Sequence, residues 1–221
     1  MRYIFVHGLG QTPASWDKTI ENLSVQLGGE GIAASCASPD LSELLRNKDT
    51  NYVNLYTAFS EYCDSVPEPI TICGLSLGGI LALHYGIEHP HKVKALVLIG
   101  AQYKMPKKLL AFQNVIFRFM PQAMFRQMGF GKKQFIELSK SMMELDFSND
   151  LDKISCPVLV VCGEKDKANM EAAKGLADCL SHAEFCMIGN SGHEVNVDAP
   201  EQLAERISVF MGNVEGKAIR D

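Results

Sequence analysis

Six short apolar runs recur along this chain, separated by longer segments of helical spacing, and that alternation constrains the fold more than any other feature. The runs are Tyr3 to Val6, Ile32 to Cys36, Ile70 to Cys73, Val93 to Ile99, Val158 to Cys162 and Glu184 to Ile188. Each is strand-length and rich in β-branched or aliphatic residues. Between them, Trp16 to Leu27, Tyr52 to Cys63, Leu77 to Glu88, Met170 to Leu180 and Glu201 to Met211 carry apolar residues at helical intervals. Strand alternating with helix predicts an α/β fold: a doubly wound, mostly parallel sheet of about six strands, covered by helices on both faces.

Residues 103–150 break the rhythm. They hold no strand candidate and are punctuated by Pro106, Pro121, Gly129 and Gly131, which reads as a helical insertion. The tail beyond Met211, with Gly212 and Gly216, is expected to fray. A chain of 221 residues with 47% hydrophobic side chains can bury a sizeable core as one domain with an insertion. A net charge of −5 argues against a nucleic-acid partner. The seven cysteines form no C-x-x-C pair and have no histidines at metal-ligand spacing, so they read as reduced, mostly buried thiols, and no metal is expected. No leader pattern and no membrane-length apolar run is present, which predicts a cytoplasmic protein without stable membrane insertion.

The apolar run ending at Cys73 leads into G74-L75-S76-L77-G78-G79 and then into a predicted helix. That is the context in which G-x-S-x-G forms a nucleophile elbow, where the serine occupies a strained turn that lifts its hydroxyl from the sheet edge. Alone the pattern is weak, since composition would supply it in about one chain in ten of this length. A serine hydroxyl also needs a base, and the base an orienting acid. Asp166 lies four residues past the run ending at Cys162, and His193 five residues past the run ending at Ile188. Both fall on loops at the sheet edge where parallel sheets place their ligands. His84, His89 and His91 lie on or just after a helix and His182 ends another, which suits packing or surface roles. Asp146, Asp150 and Asp152 precede a strand, and Asp198, three residues before Glu201, fits a helix capping box. An oxyanion needs backbone donors, and the natural ones are the N–H of Leu77, next to the serine, and of Leu9 in the glycine-flanked loop after the first run. His7 is expected to hold that loop.

Taken together, H7-G8-L9-G10, G74-L75-S76-L77-G78-G79, G163-E164-K165-D166 and G192-H193 resemble the α/β-hydrolase superfamily over nearly the whole chain. The resemblance implies a Ser76-His193-Asp166 triad. It also implies a core of residues 1–102 and 151–221 with a helical cap at 103–150. The glycine-flanked loop begins at residue 7, so the sheet resembles a member lacking the first two strands.

Rival readings stay in view. G8-L9-G10 fills two positions of a dinucleotide fingerprint, but Pro13 stands at the third and no acid follows the second run, so no NAD and no other cofactor is expected. The same fold also hosts carbon–carbon hydrolases or lyases and non-catalytic small-molecule binding proteins. Ser76 excludes an aspartate nucleophile at that turn.

From Tyr103 to Lys140 eight lysines and arginines face Glu137 alone, which puts that stretch at +7 and the remainder of the chain at −12. Six phenylalanines and four methionines share it. The plain reading is helices packed on the body with a solvated basic face. The sharper one is an acyl pocket whose cations attract an anionic substrate or an anionic lipid surface. The sequence as a whole predicts a serine hydrolase acting on a small-molecule carboxylic ester or thioester, with Ser76, His193 and Asp166 as the reacting set and Leu9 and Leu77 as the oxyanion donors. It does not predict an oligomeric state.

Overall fold

A computed structural model describes residues 2–28 and 33–218. Six strands, β1 (Arg2–Val6), β2 (Cys36–Ala37), β3 (Ile70–Leu75), β4 (Val93–Ile99), β5 (Val158–Gly163) and β6 (Ala183–Ile188), form one parallel sheet in the order β2-β1-β3-β4-β5-β6. The order matches the expected doubly wound sheet. The second strand is shorter and later than expected, two residues centred on Cys36; Ile32 lies outside the described residues. A two-residue edge strand needs only the pairs Tyr3 to Cys36 and Ile4 to Ala37 to continue the ladder.

Successive side chains of a strand point to opposite faces, and both faces are dry. Ile4, Val6, Leu96, Leu98, Val158 and Val160 pack on one side with the helices α2 (Tyr52–Asp64), α3 (Leu77–Glu88) and, further along, α6 (Met170–Cys179). Tyr3, Phe5, Ala95, Val97, Leu159 and Val161 pack on the other, against α1 (Asp17–Gln26) and α7 (Pro200–Ala218) through Leu23, Leu203, Ile207 and Phe210. Helix α7 continues through Gly212 and Gly216, so the expected fraying after Met211 is not what forms. Met211 and Val214 are buried, and their burial carries the helix past both glycines.

Between β4 and β5 the chain builds α4 (Lys107–Phe119), a 3₁₀ turn at Gln122–Gln127 and α5 (Lys132–Ser141). Its two ends zip together: Met105 donates to the Leu145 carbonyl at 3.0 Å, Phe147 to the Tyr103 carbonyl at 2.8 Å, and Lys104 bridges Asp146 antiparallel.

The strand order reverses between β1 and β3, and the backbones approach closely there. A Cβ on Gly74 would stand 2.3 Å from the Gly78 carbonyl oxygen, and one on Gly78 would stand 2.1 Å from that of Val6. Only glycine admits this approach of helix α3 to two strands. The loop after β1 is held by His7, which is 1% exposed. Its Nδ1 donates to the Gly8 carbonyl at 2.9 Å and its Nε2 accepts from the Leu41 N–H at 3.1 Å, so both ring nitrogens are committed in the neutral form. Burial pushes its pKa down, against the opposing pull of the Gly8 carbonyl and Asp40.

Two stability measurements check this. Gly78→Ala is expected to cost at least about 3 kcal/mol in urea unfolding, because backbone must move to admit the methyl. Gly212→Ala, with open space around it, is expected to gain up to about 1 kcal/mol. Separately, the depressed His7 means that the unfolded chain binds its proton first. Stability should therefore rise between about pH 5 and 7, and His7→Gln should flatten part of that rise while lowering stability throughout.

Candidate active site

Strand β3 ends by turning through Ser76, which sits at φ 53°, ψ −113°, and α3 begins at the next residue. A non-glycine residue in this left-handed region is strained and persists only where its surroundings over-determine it. Here the Ser76 N–H donates to the Ile99 carbonyl at 2.8 Å and its carbonyl accepts from Ile80 at 2.9 Å, so the turn is locked to β4 on one side and to α3 on the other.

Asp166 follows β5 in a tight turn closed by its own N–H on the Gly163 carbonyl at 3.0 Å, and its side chain is buried. His193 lies on the loop after β6 and donates from Nδ1 to Asp166 Oδ2 at 2.7 Å. A carboxylate can only accept, so this bond leaves Nε2 of the neutral ring as the acceptor of a residue that lines the cavity. Burial alone would push the Asp166 carboxyl up. The His193 bond and charge and the Asn169 amide outweigh it and hold the carboxyl below the usual range. The Asn169 amide donates to both Asp166 oxygens at 2.9 Å, and its own carbonyl accepts from Gln102 at 2.8 Å.

Ser76, Asp166, His193, Leu9 and Leu77, gathered from four separate loops and turns, all line one cavity of about 370 Å³. Such a volume suits a small acyl group. Among the described residues the Ser76 hydroxyl makes no hydrogen bond, so the aspartate–histidine half of the set is assembled and the serine–histidine half is open. Bonds of this kind often tighten only with substrate bound. Leu77 opens α3, whose first N–H groups have no intrahelical partner.

Three features escaped the sequence reading. Gly100, at φ 55° directly after β4, leaves space that a Cβ would close to 3.0 Å from the His193 ring; its signal is a glycine at the carboxyl end of a strand. Asn169, three residues beyond Asp166, is the second support of the acid. A buried amide network is the third. Gln11 Oε1 accepts from the Gly8 N–H at 3.3 Å and from the Asn196 amide at 3.2 Å, and the Asn196 amide also donates to the Ser15 carbonyl at 3.2 Å. It ties the Leu9 loop to the His193 loop. Asp198 is a correction: its carboxylate accepts from the Gly192 N–H at 2.7 Å and steadies the histidine loop, because it belongs to the turn Val195–Asp198 before α7 and not to the cap of α7. His84 stacks on Tyr56 and bonds the Tyr52 hydroxyl, and His89 stacks on Tyr85, which agrees with packing roles.

The roof of the cavity comes from Met105, Pro106, Leu110, Gln113, Phe117, Phe135, Ser139 and Met142. Among the described residues no lysine or arginine lines it. Lys104, Lys107, Lys108, Arg118, Lys133 and Lys140 are exposed, and Lys104, Lys107 and Lys133 pair with Asp146, Glu144 and Glu137.

A model of the alpha/beta hydrolase family matches residues 3–206. The chain is 27% identical to a pimeloyl-[acyl-carrier protein] methyl ester esterase of Vibrio atlanticus, with 86% of each chain covered. It is 24% identical to the monoacylglycerol lipase ABHD6 of Mus musculus over 66% of this chain and 49% of that one. Among solved structures, an esterase from Thermogutta terrifontis superposes with a TM-score of 0.75 at 20% identity, covering 97% of this chain and 90% of that one. An enol-lactonase from Burkholderia xenovorans gives 0.78 at 14%, covering 96% and 91%. With its parallel six-stranded sheet and a family match across more than nine-tenths of its length, the chain belongs to the alpha/beta hydrolase family.

Proposed function

We propose that this hydrolase cleaves a carboxylic ester or thioester with an apolar acyl part, using Ser76 as nucleophile, His193 as base and Asp166 as the orienting acid, beneath a cap formed by residues 103–150. The observation that carries the reading is the 2.7 Å bond from His193 to a buried Asp166 on the same cavity wall as a serine held at positive φ. An ester bound with its carbonyl over Ser76 loses that carbonyl's π bond as Oγ attacks, and the Oγ proton passes to His193 Nε2. The imidazolium so formed is stabilised by Asp166, whose depressed pKa keeps it anionic. The N–H groups of Leu9 and Leu77 stabilise the oxyanion. Collapse expels the alcohol or thiol with the proton from His193, and a water deprotonated by the same nitrogen then frees the acid from the acyl-serine.

The apolar roof supports the acyl side of this reading, and the curated relatives named as an ester esterase and a lipase support the bond type. The cavity's polar groups, Gln102, Gln113 and Ser139, lie among the apolar lining residues and offer hydrogen bonds to an uncharged polar substituent. The outward cations do not favour an anionic substituent inside the cavity.

A chain-length panel of nitrophenyl esters and acyl thioesters is expected to be turned over by the wild type, with Ser76→Ala at least about 10⁴-fold slower and equally stable. Equal rates for the two proteins would refute the assignment. Gly100→Ala is expected to lower kcat about 100-fold by displacing His193 from Asp166, with a smaller change in KM.

A further inference from the structure

The cap helix α4 carries its side chains in an inverted arrangement. Leu110, Gln113 and Phe117 face the cavity, and Asn114 is buried beside them with neither amide atom hydrogen-bonded. Phe112, Val115, Ile116 and Phe119, spaced to share one face, point into solvent, with Phe112 63% and Phe119 84% exposed. Large aromatic side chains left bare in a row on one helix mark a surface that something covers.

The charges around this row say what covers it. Lys108 lies one turn before Phe112 on the same face. The side chain of Lys132 reaches the carbonyls of Arg118 and Met120 at 2.7 Å, which joins the far end of α4 to a groove of about 430 Å³ lined by Gln122, Lys132, Lys133, Ile136, Glu137 and Lys140, where three lysines face one carboxylate that Lys133 already pairs. Among the described residues Lys108, Arg118, Lys132 and Lys140 pair with no carboxylate. Residues 103–140 carry +7 against −12 for the remainder of the chain, so the segment that bears the apolar row is the basic part of an acidic protein. An apolar stripe flanked by lysines and arginines is the pattern of a helix lying in the headgroup region of an anionic bilayer.

We propose that the outer face of α4, with the lysine groove at its end, docks this protein on an anionic phospholipid surface. Phe112, Val115, Ile116 and Phe119 enter the acyl boundary and the lysines meet headgroup phosphates. Because the opposite face of the same helix roofs the cavity, docking sets the cavity beside the lipid. That last step rests on the function proposed above; the docking itself does not.

Sedimentation with phosphatidylcholine vesicles and with vesicles of phosphatidylcholine and phosphatidylglycerol tests it. The wild type should bind the anionic vesicles, bind the neutral ones far less, and lose binding as salt rises. Phe112→Gln with Phe119→Gln should weaken binding at least about tenfold, and Lys108→Ala with Lys140→Ala about fivefold per lysine. Both double variants should hydrolyse a short water-soluble nitrophenyl ester at the wild-type rate. Ser76→Ala should bind vesicles undiminished, which separates failure of docking from failure of the catalytic reading. Absence of wild-type binding, equal binding to both vesicles, or undiminished binding by the phenylalanine variant would overturn the proposal. So would a wild-type dimer that the phenylalanine variant dissociates, or binding only to an acidic carrier protein.

Discussion

The approach of Gly78 to the Val6 carbonyl is the contact on which the rest of the structure depends. With no Cβ at Gly74 or Gly78, helix α3 starts within touching distance of β1 and β3 at once. That closeness bends the chain so sharply at Ser76 that its backbone enters the left-handed region, and the hydroxyl is carried to the mouth of the strand reversal. The same closeness sets the Leu9 loop beside Leu77. One backbone contact therefore positions the candidate nucleophile and both candidate oxyanion donors. No side chain has to be recruited for the purpose.

The remaining members arrive from elsewhere in the chain. Asp166 and His193 stand on loops after β5 and β6, which a second glycine contact draws together, a Cβ on Gly163 falling 2.0 Å from the Gly192 carbonyl oxygen, and hydrogen bonds complete the holding. Asn169 braces the acid, Asp198 the Gly192 amide, and Gln11 with Asn196 joins the first loop to the last. Buried polar groups that are satisfied in this way fix one geometry, because each partner lost would leave a desolvated donor or acceptor costing about 1–3 kcal/mol. His7 belongs to the same scheme. Its two ring nitrogens are spent on Gly8 and Leu41, which leaves His193 as the histidine with a nitrogen to spare at the cavity.

What could be read in the sequence follows from this division. The strands were legible because a sheet buried on both faces must be apolar at consecutive positions, and β4 begins and ends where its apolar run does. Ser76, Asp166 and His193 were legible because each follows such a run at loop distance. Supports that act through space were not. Gly100 matters for what it lacks, Asn169 for an amide aimed backward by three residues, and Asn196 for a partner 185 residues away. Asp198 misled because an acid three residues before Glu201 has the spacing of a cap, and only the fold reveals that the turn it occupies belongs to the histidine loop. The bounds of β2 were obscured for a related reason: the apolar run Ile32 to Cys36 announced a strand, but an edge strand needs only the two paired residues Cys36 and Ala37.

The cap divides its two chemistries by face. Facing inward, Met105, Phe117, Phe135 and Met142 close the cavity with apolar surface, and Phe135 is wedged edge-on by Phe117 and Phe125 at 4.9 and 5.3 Å. Among the described residues no lysine or arginine lines that interior, where an unpartnered lysine would bear a desolvation cost and the Asp166 carboxylate is already committed to His193. Outward the cations are free to stay hydrated. A basic and apolar segment on an acidic body thus becomes two surfaces of opposite use, one complementary to an uncharged acyl chain and the other carrying charge. Both cap helices contribute to each surface, α4 through Leu110 and Phe117 on one side and Phe112 and Phe119 on the other, and α5 through Phe135 and Ser139 on one side and Lys133 and Lys140 on the other.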